Sequence, residues 1–420
     1  MLSPLFRIHV YVAVLFTFLL VCVGPATAEN VHKPITQKLI SMLEQNPDLK
    51  EMLKESIAEC KKVNPDPTTN PVQSLQEYYD YVDETSELIP QVVMLHPESL
   101  IRDQILECIC YFYFLVDQPI AALKDKGLFN NTLQYDPTFS KWLREFADAW
   151  GEYLATEASW TQKTFEEFKN EPRFGFQNGW YGDKNTWKTF NEFFSRHLVS
   201  PSMRPIAEPG NDKIVTSPAD SVPQGVWSVD EQSNIHAEDG LKVKLIRYFN
   251  VNDLIGKDSK YKDAFADGVL THSFLNVNDY HRFHFAVSGV VKEVSIISQN
   301  VSLEVAWNPK TKRYDPIDSL GWQFSQTRGV VIVDTGEHGL VALIPMGMAQ
   351  VSSVNFEDNV RVGTSHKKGD MLGTFLFGGS DFVIVFQKKA GFVLTTPMEL
   401  HPSEYTHRLM GESLGQMGSE

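Results

Sequence analysis

Between residues 165 and 214 the hydrophobic pattern of this 420-residue chain changes its period, and that change limits the folds open to it. Upstream, apolar residues recur three and four apart. Downstream, they come in short runs broken by Gly, Asn and Asp. The first pattern buries one stripe of a helix, and the second suits strands between turns. The expectation is an α+β protein: an all-helical N-terminal domain over residues 29–170, then a β-rich domain over 186–420.

In the first part, Ile35, Leu39, Ile40 and Leu43 form one stripe, and Leu49, Met52, Leu53 and Ile57 form the next. Asn46-Pro47 separates them, with Asn46 as N-cap and Pro47 at the first helical position. Helical patterns return over 74–87 and 97–116. Asp136-Pro137 opens another helix, whose Trp142, Phe146 and Trp150 fall four apart and read as core. Residues 170–187, rich in Asn, Gly and aromatics, read as the passage between domains. Thr189 to Arg196 reads as a short amphipathic helix. Strand-like runs follow at 290–297, 329–333 and 340–345.

A net charge of −15 argues against a nucleic-acid partner and against adsorption to anionic lipid. It leaves room for a lipid-like substrate held by apolar contacts, so membrane contact stays open. Arg7 and His9, the apolar run 10–23 and Ala26-Thr27-Ala28 have the layout of a signal peptide over 1–28. The chain is therefore expected in the secretory pathway or outside the cell, with an uncleaved anchor as the alternative. Cys60, Cys108 and Cys110 remain after that segment. Either Cys60 bridges to one of the other two, or all three are buried thiols. No spacing marks a metal site, since His281-x-x-His284 lacks a third ligand. Asn130 and Asn300 open two glycosylation sequons.

Residues 375–386 read Phe-Leu-Phe-Gly-Gly-Ser-Asp-Phe-Val-Ile-Val-Phe. The reading is a turn at Gly378-Gly379-Ser380 between apolar strands, which leaves the Gly379 carbonyl open to the Ser380 hydroxyl. Serine is a poor nucleophile until a base takes its proton, and histidine suits that task at neutral pH. A carboxylate behind the histidine fixes its tautomer. Asp220, one histidine of the His281/His284 pair and Ser380 could form such a set.

Five motifs occur together: Arg204-Pro205-Ile206, Ser217-Pro218-Ala219-Asp220, Asp279-Tyr280-His281-Arg282-Phe283-His284, Lys368-Gly369-Asp370-x-x-Gly373 and Phe377-Gly378-Gly379-Ser380. In order and spacing they resemble the phosphatidylserine decarboxylase family over about residues 186–390. The resemblance implies a proenzyme that cuts itself between Gly379 and Ser380, with Ser380 becoming a covalent pyruvoyl group. Its C-terminal chain would be 380–420, which is 41 residues (420 − 379). By the resemblance, Asp220, His284 and Ser380 are the self-processing triad, and His281 serves decarboxylation. The substrate amine would join the pyruvoyl ketone as a Schiff base, and carbon dioxide would leave.

The helical part from Pro34 to about Leu154, including Asp148-Ala149-Trp150-Gly151, is similar to the N-terminal domain of fungal L-tryptophan decarboxylases. That favours a free L-amino acid, aromatic ones included, as substrate, with phosphatidylserine as the alternative. In one respect the chain departs from the family: Asp381 stands where Ser or Thr is usual. A further alternative is a secreted binding protein that never matures.

Overall fold

The computed structural model describes residues 31–90, 102–236, 250–317, 325–348, 353–400 and 403–418. The expected signal peptide lies outside them. The helices are α1 (Pro34–Gln45), α2 (Pro47–Val63), α3 (Leu75–Thr85), α4 (Arg102–Phe114), α5 (Pro137–Leu154), α6 (Gln162–Asn170), α7 (Phe190–Phe194) and, among the strands, α8 (Val251–Ile255). Local chemistry sets their ends. The Ser74 hydroxyl accepts from Glu77 N while the Glu77 carboxylate accepts from Gln73 N, a reciprocal cap. Asp136 accepts from the amides of Thr138 and Phe139 at the start of α5. Asn46 occupies the cap position of α2, but its side chain donates backwards to the Met42 carbonyl instead of capping.

The strands are β1 (Ile214–Thr216), β2 (Val222–Val229), β3 (Ile235–His236), β4 (Val269–Leu275), β5 (Arg282–His284) and β6 (Gly289–Ile297). Next come β7 (Val305–Asn308), β8 (Arg313–Pro316), β9 (Thr327–Asp334), β10 (Leu340–Met348), β11 (Asn355–Phe356) and β12 (Ser365–His366). The last six are β13 (Met371–Thr374), β14 (Gly379–Phe386), β15 (Val393–Leu394), β16 (Met398–Leu400), β17 (Ser403–Tyr405) and β18 (Ser413–Gln416). Eight of them form one antiparallel sheet in the order β12-β6-β9-β10-β14-β4-β2-β3. Strand β14 therefore lies in its interior, between β10 and β4. Two three-stranded sheets, β1-β18-β15 and β11-β13-β5, accompany it.

Side chains alternate across a strand, so the large sheet has two apolar faces. Ile332, Ile344, Val383 and Val385 share one core with the helices. Val331, Leu343, Phe382 and Ile384 share the other with Phe283, Leu372 and Leu414 from the smaller sheets. The helices are thus bound to the sheet by a continuous core and by polar ties. Asp117 accepts from Val305 N at 2.9 Å, and the Tyr314 hydroxyl accepts from Asn64 Nδ2 at 2.8 Å. Burial raises the Asp117 carboxyl to about 8.

The stretch 170–187, expected as a passage between domains, is itself packed. Phe174, Phe176 and Tyr181 are buried and join Phe165, Phe168, Trp187 and Phe193 in one aromatic cluster. Cys60, Cys108 and Cys110 form no disulfide, so the bridged alternative is not the one adopted; Cys60 and Cys110 are buried and Cys108 is half-buried.

Candidate active site

The Gly-Gly-Ser segment departs from the expected turn. The chain bends at Phe377-Gly378, where Gly378 has φ 153°, and Gly379 already starts β14. Ser380 sits opposite Gly347 on β10 and Leu275 on β4. By alternation its side chain shares a face with Phe382, and Asp381 shares the helical face with Val383. Ser380 is 1% exposed, and its Oγ has no hydrogen-bond partner. An orphaned buried hydroxyl costs free energy, a cost Ser380 shares with other buried groups such as Thr36 and Tyr78. A serine so placed, behind two glycines, fits the precursor of a pyruvoyl group.

His281 and His284 flank Phe283 on and beside β5. Phe283 packs on Phe375 and Phe382, which brackets the Gly-Gly-Ser segment. The His281 carbonyl accepts from Phe375 N at 3.0 Å. Its ring stacks 3.9 Å from Phe194, and Phe194 meets Phe377 at 5.4 Å. The aromatic cluster of the helical part thus links the His281 ring, through Phe194, to Phe377, two residues before Gly379.

Both imidazoles are oriented by backbone. His281 Nδ1 donates to the Asp279 carbonyl at 2.9 Å, which leaves Nε2 as the lone-pair nitrogen, buried and without a partner. His284 Nδ1 donates to the Gly369 carbonyl at 2.8 Å, and its Nε2 faces the Tyr280 hydroxyl at 3.4 Å. Burial, with the nearby Arg196 cation, lowers His281 to about 3. Burial lowers His284 to about 4, although the Gly369 carbonyl and the Asp220 charge oppose it. Both rings are neutral at physiological pH and can accept a proton.

Asp220 takes a different place from the one expected. Its carboxylate makes a bidentate ion pair with Arg204, Nε to Oδ1 at 2.9 Å and Nη2 to Oδ2 at 2.6 Å. It also accepts from Met410 N at 2.8 Å. Asp220 therefore lies close enough to act on His284 through its field, but the hydrogen bond that orients His284 belongs to Gly369. The expected chain of carboxylate, imidazole and hydroxyl is not hydrogen-bonded here, because Arg204 is the stronger partner for a buried carboxylate. Arg204 was visible in sequence only as part of a motif. Its role needed the fold, which stacks it 4.0 Å from Trp180 and leaves its side chain fully buried.

A second residue escaped sequence reading. His272 Nε2 meets Asp381 Oδ2 at 2.7 Å, from the neighbouring strand β4. The pair is separated by 109 positions, and no local signal links them. A cleft of about 520 Å³ at Gly182, Asp183, Lys184, Thr186, Trp187 and His197 contains none of these residues. Asp220, His281 and His284 are 2%, 1% and 6% exposed, so these three side chains are closed off from solvent.

The sequence profile of the phosphatidylserine decarboxylase family matches residues 190–416. The decarboxylase iboD of Amanita muscaria is 27% identical over 296 residues, covering 63% of this chain and 82% of that protein. Only four residues lie beyond 416, so this match also reaches into the helical part. The phosphatidylserine decarboxylase proenzyme 2 of Oryza sativa is 37% identical over 208 residues, 49% of this chain and 30% of its own length. The phosphatidylserine decarboxylase proenzyme of Vibrio cholerae is 27% identical over 229 residues, 50% of this chain and 74% of its own.

Proposed function

The chain belongs to the phosphatidylserine decarboxylase family, a family of pyruvoyl-dependent carboxy-lyases, and on that premise we propose that it is a precursor that cuts itself between Gly379 and Ser380 and then decarboxylates a free L-amino acid. The observation that carries this reading is the buried, unpartnered Ser380 hydroxyl directly behind two glycines.

In the self-cleavage, Ser380 Oγ attacks the Gly379 carbonyl and forms an ester as the amide bond breaks. A neutral histidine receives the hydroxyl proton, a role we assign to His284. Asp220 steadies the resulting imidazolium through its charge. Elimination then frees the Gly379 carboxylate, and hydrolysis of the dehydroalanine releases ammonia and leaves the pyruvoyl group on residue 380. That group supplies the electron sink for decarboxylation when substrate is bound. His281 then holds or delivers the proton at the carbon that loses carbon dioxide, through its unpartnered Nε2.

One feature supports a free amino acid: the match to the Amanita decarboxylase, whose name carries no phosphatidylserine, covers most of that protein and extends past the catalytic profile into the helical part, the part whose pattern resembles fungal L-tryptophan decarboxylases. Phosphatidylserine stays as the second reading, favoured by the names of the rice and Vibrio relatives. Localisation to the secretory pathway is part of the proposal and rests on the sequence of residues 1–28 alone.

Intact mass tests the maturation: the wild type yields a 41-residue chain, 380–420, and Ser380→Ala yields none. A single uncut mass in both would overturn the reading. Carbon dioxide release from tryptophan, other amino acids and phosphatidylserine micelles tests the substrate, and turnover of the lipid alone would reverse the order given.

A further inference from the structure

We propose that the buried, hydrogen-bonded His272–Asp381 pair is a clamp that holds the new end of β14 in register once the chain is cut, so that both are positioning residues for the reacting group on residue 380. The proposal rests on the self-cleavage proposed above.

Strand β14 reads Gly-Ser-Asp-Phe-Val-Ile-Val-Phe, and Asp381 is its only charged residue. Its carboxylate is 2% exposed, and Oδ2 lies 2.7 Å from His272 Nε2. A buried polar pair adds little stability over an apolar one, because desolvation offsets the gain from the hydrogen bond. It does fix register, since any slip leaves two buried polar groups unmatched. In the uncut chain that service is redundant. The bend at Phe377-Gly378 ties the strand covalently, and β14 pairs β10 from Gly379 onward. Cutting at 379–380 removes both the tie and the Met348↔Gly379 pair. The strand then begins at residue 380, and a free strand end frays. Asp381 is the first side chain past the cut, and its partner sits on β4, across from Val383. The pair therefore grips the strand at the one place where cutting loosens it. The side chain lies on the opposite face from Ser380, so it can hold the end without occupying the space of the chemistry.

The test compares Asp381→Ser in two backgrounds, the cut wild-type chain and the uncut Ser380→Ala chain. Amide hydrogen exchange of Phe382–Phe386 is read by mass spectrometry. The clamp predicts at least a tenfold rise in exchange for the cut protein and less than a twofold rise for the uncut one. His272→Gln, which leaves β14 unaltered, should reproduce the same difference. Equal rises in both backgrounds, no rise in either, or an uncut Asp381→Ser chain that fails to fold would each overturn the clamp. A wild-type chain that shows one uncut mass beforehand overturns the clamp together with the self-cleavage, whereas a cut chain with unchanged exchange overturns the clamp alone.

Discussion

His284 and Asp381 get their orientation from neighbours distant in sequence, whereas the His281 ring is held by the carbonyl of Asp279, two residues away. His281 and His284 are kept neutral by burial, and backbone carbonyls choose their tautomers. Their unfolded counterparts titrate near 6.5, so below that pH the unfolded chain binds more protons than the folded one. Stability therefore falls as pH drops from 6.5 towards 4, by about 1.4 kcal/mol per pH unit for each histidine. Urea unfolding of wild type and His281→Gln should diverge in favour of the variant by that slope, and parallel curves would contradict the buried neutral ring. Asp220→Ala strands the buried Arg204 cation and should cost about 3–5 kcal/mol, read by denaturation. Asp220→Ala with Arg204→Met should recover a large part of that loss. The sequence singled out the histidines and the aspartate as candidates and put the aspartate behind His284, whereas the fold pairs it with Arg204. The rival partner, Arg204, sits 16 positions upstream of Asp220, and proximity in sequence said nothing about a bidentate grip.

Helices and strands differed in how openly the sequence displayed them. The stripes of α1, α2 and α5 are local repeats, so Leu39, Leu53, Trp142 and Trp150 were identifiable as buried from spacing. Strand existence was readable for β6, β9 and β10, but the interior place of β14 was not, because pairing joins residues far apart in the chain. The Gly-Gly bend was misplaced by one or two residues, since a glycine pair permits a turn without fixing where it falls. One aromatic contact links α5 to the bend: Trp150 meets Phe377 edge-on at 5.3 Å. Trp150→Ala should cost about 3–5 kcal/mol by cavity formation. It should also slow the appearance of the 41-residue chain on a denaturing gel, because Phe377 loses the wall that sets the bend. Normal cleavage kinetics in a folded Trp150→Ala protein would disconnect the helical part from maturation.

At the scale of the whole molecule, residues 380–420 are woven through the rest. β14 lies inside the large sheet, β18 pairs β1, and Met410 N and His407 reach Asp220 and Asp279. The cut protein should therefore elute from gel filtration as one species that still contains the 41-residue chain, and native mass spectrometry would expose any loss of it. The interior position of β14 carries one more consequence. A strand in the middle of a sheet reaches its slot during folding because the chain on either side delivers it there. After cleavage that delivery cannot be repeated: a denatured two-piece molecule has lost the linkage that would thread the short fragment back between its neighbours. Maturation on this plan is irreversible twice over, once as bond-breaking and once as topology, and the working lifetime of each copy is set by how slowly it first comes apart.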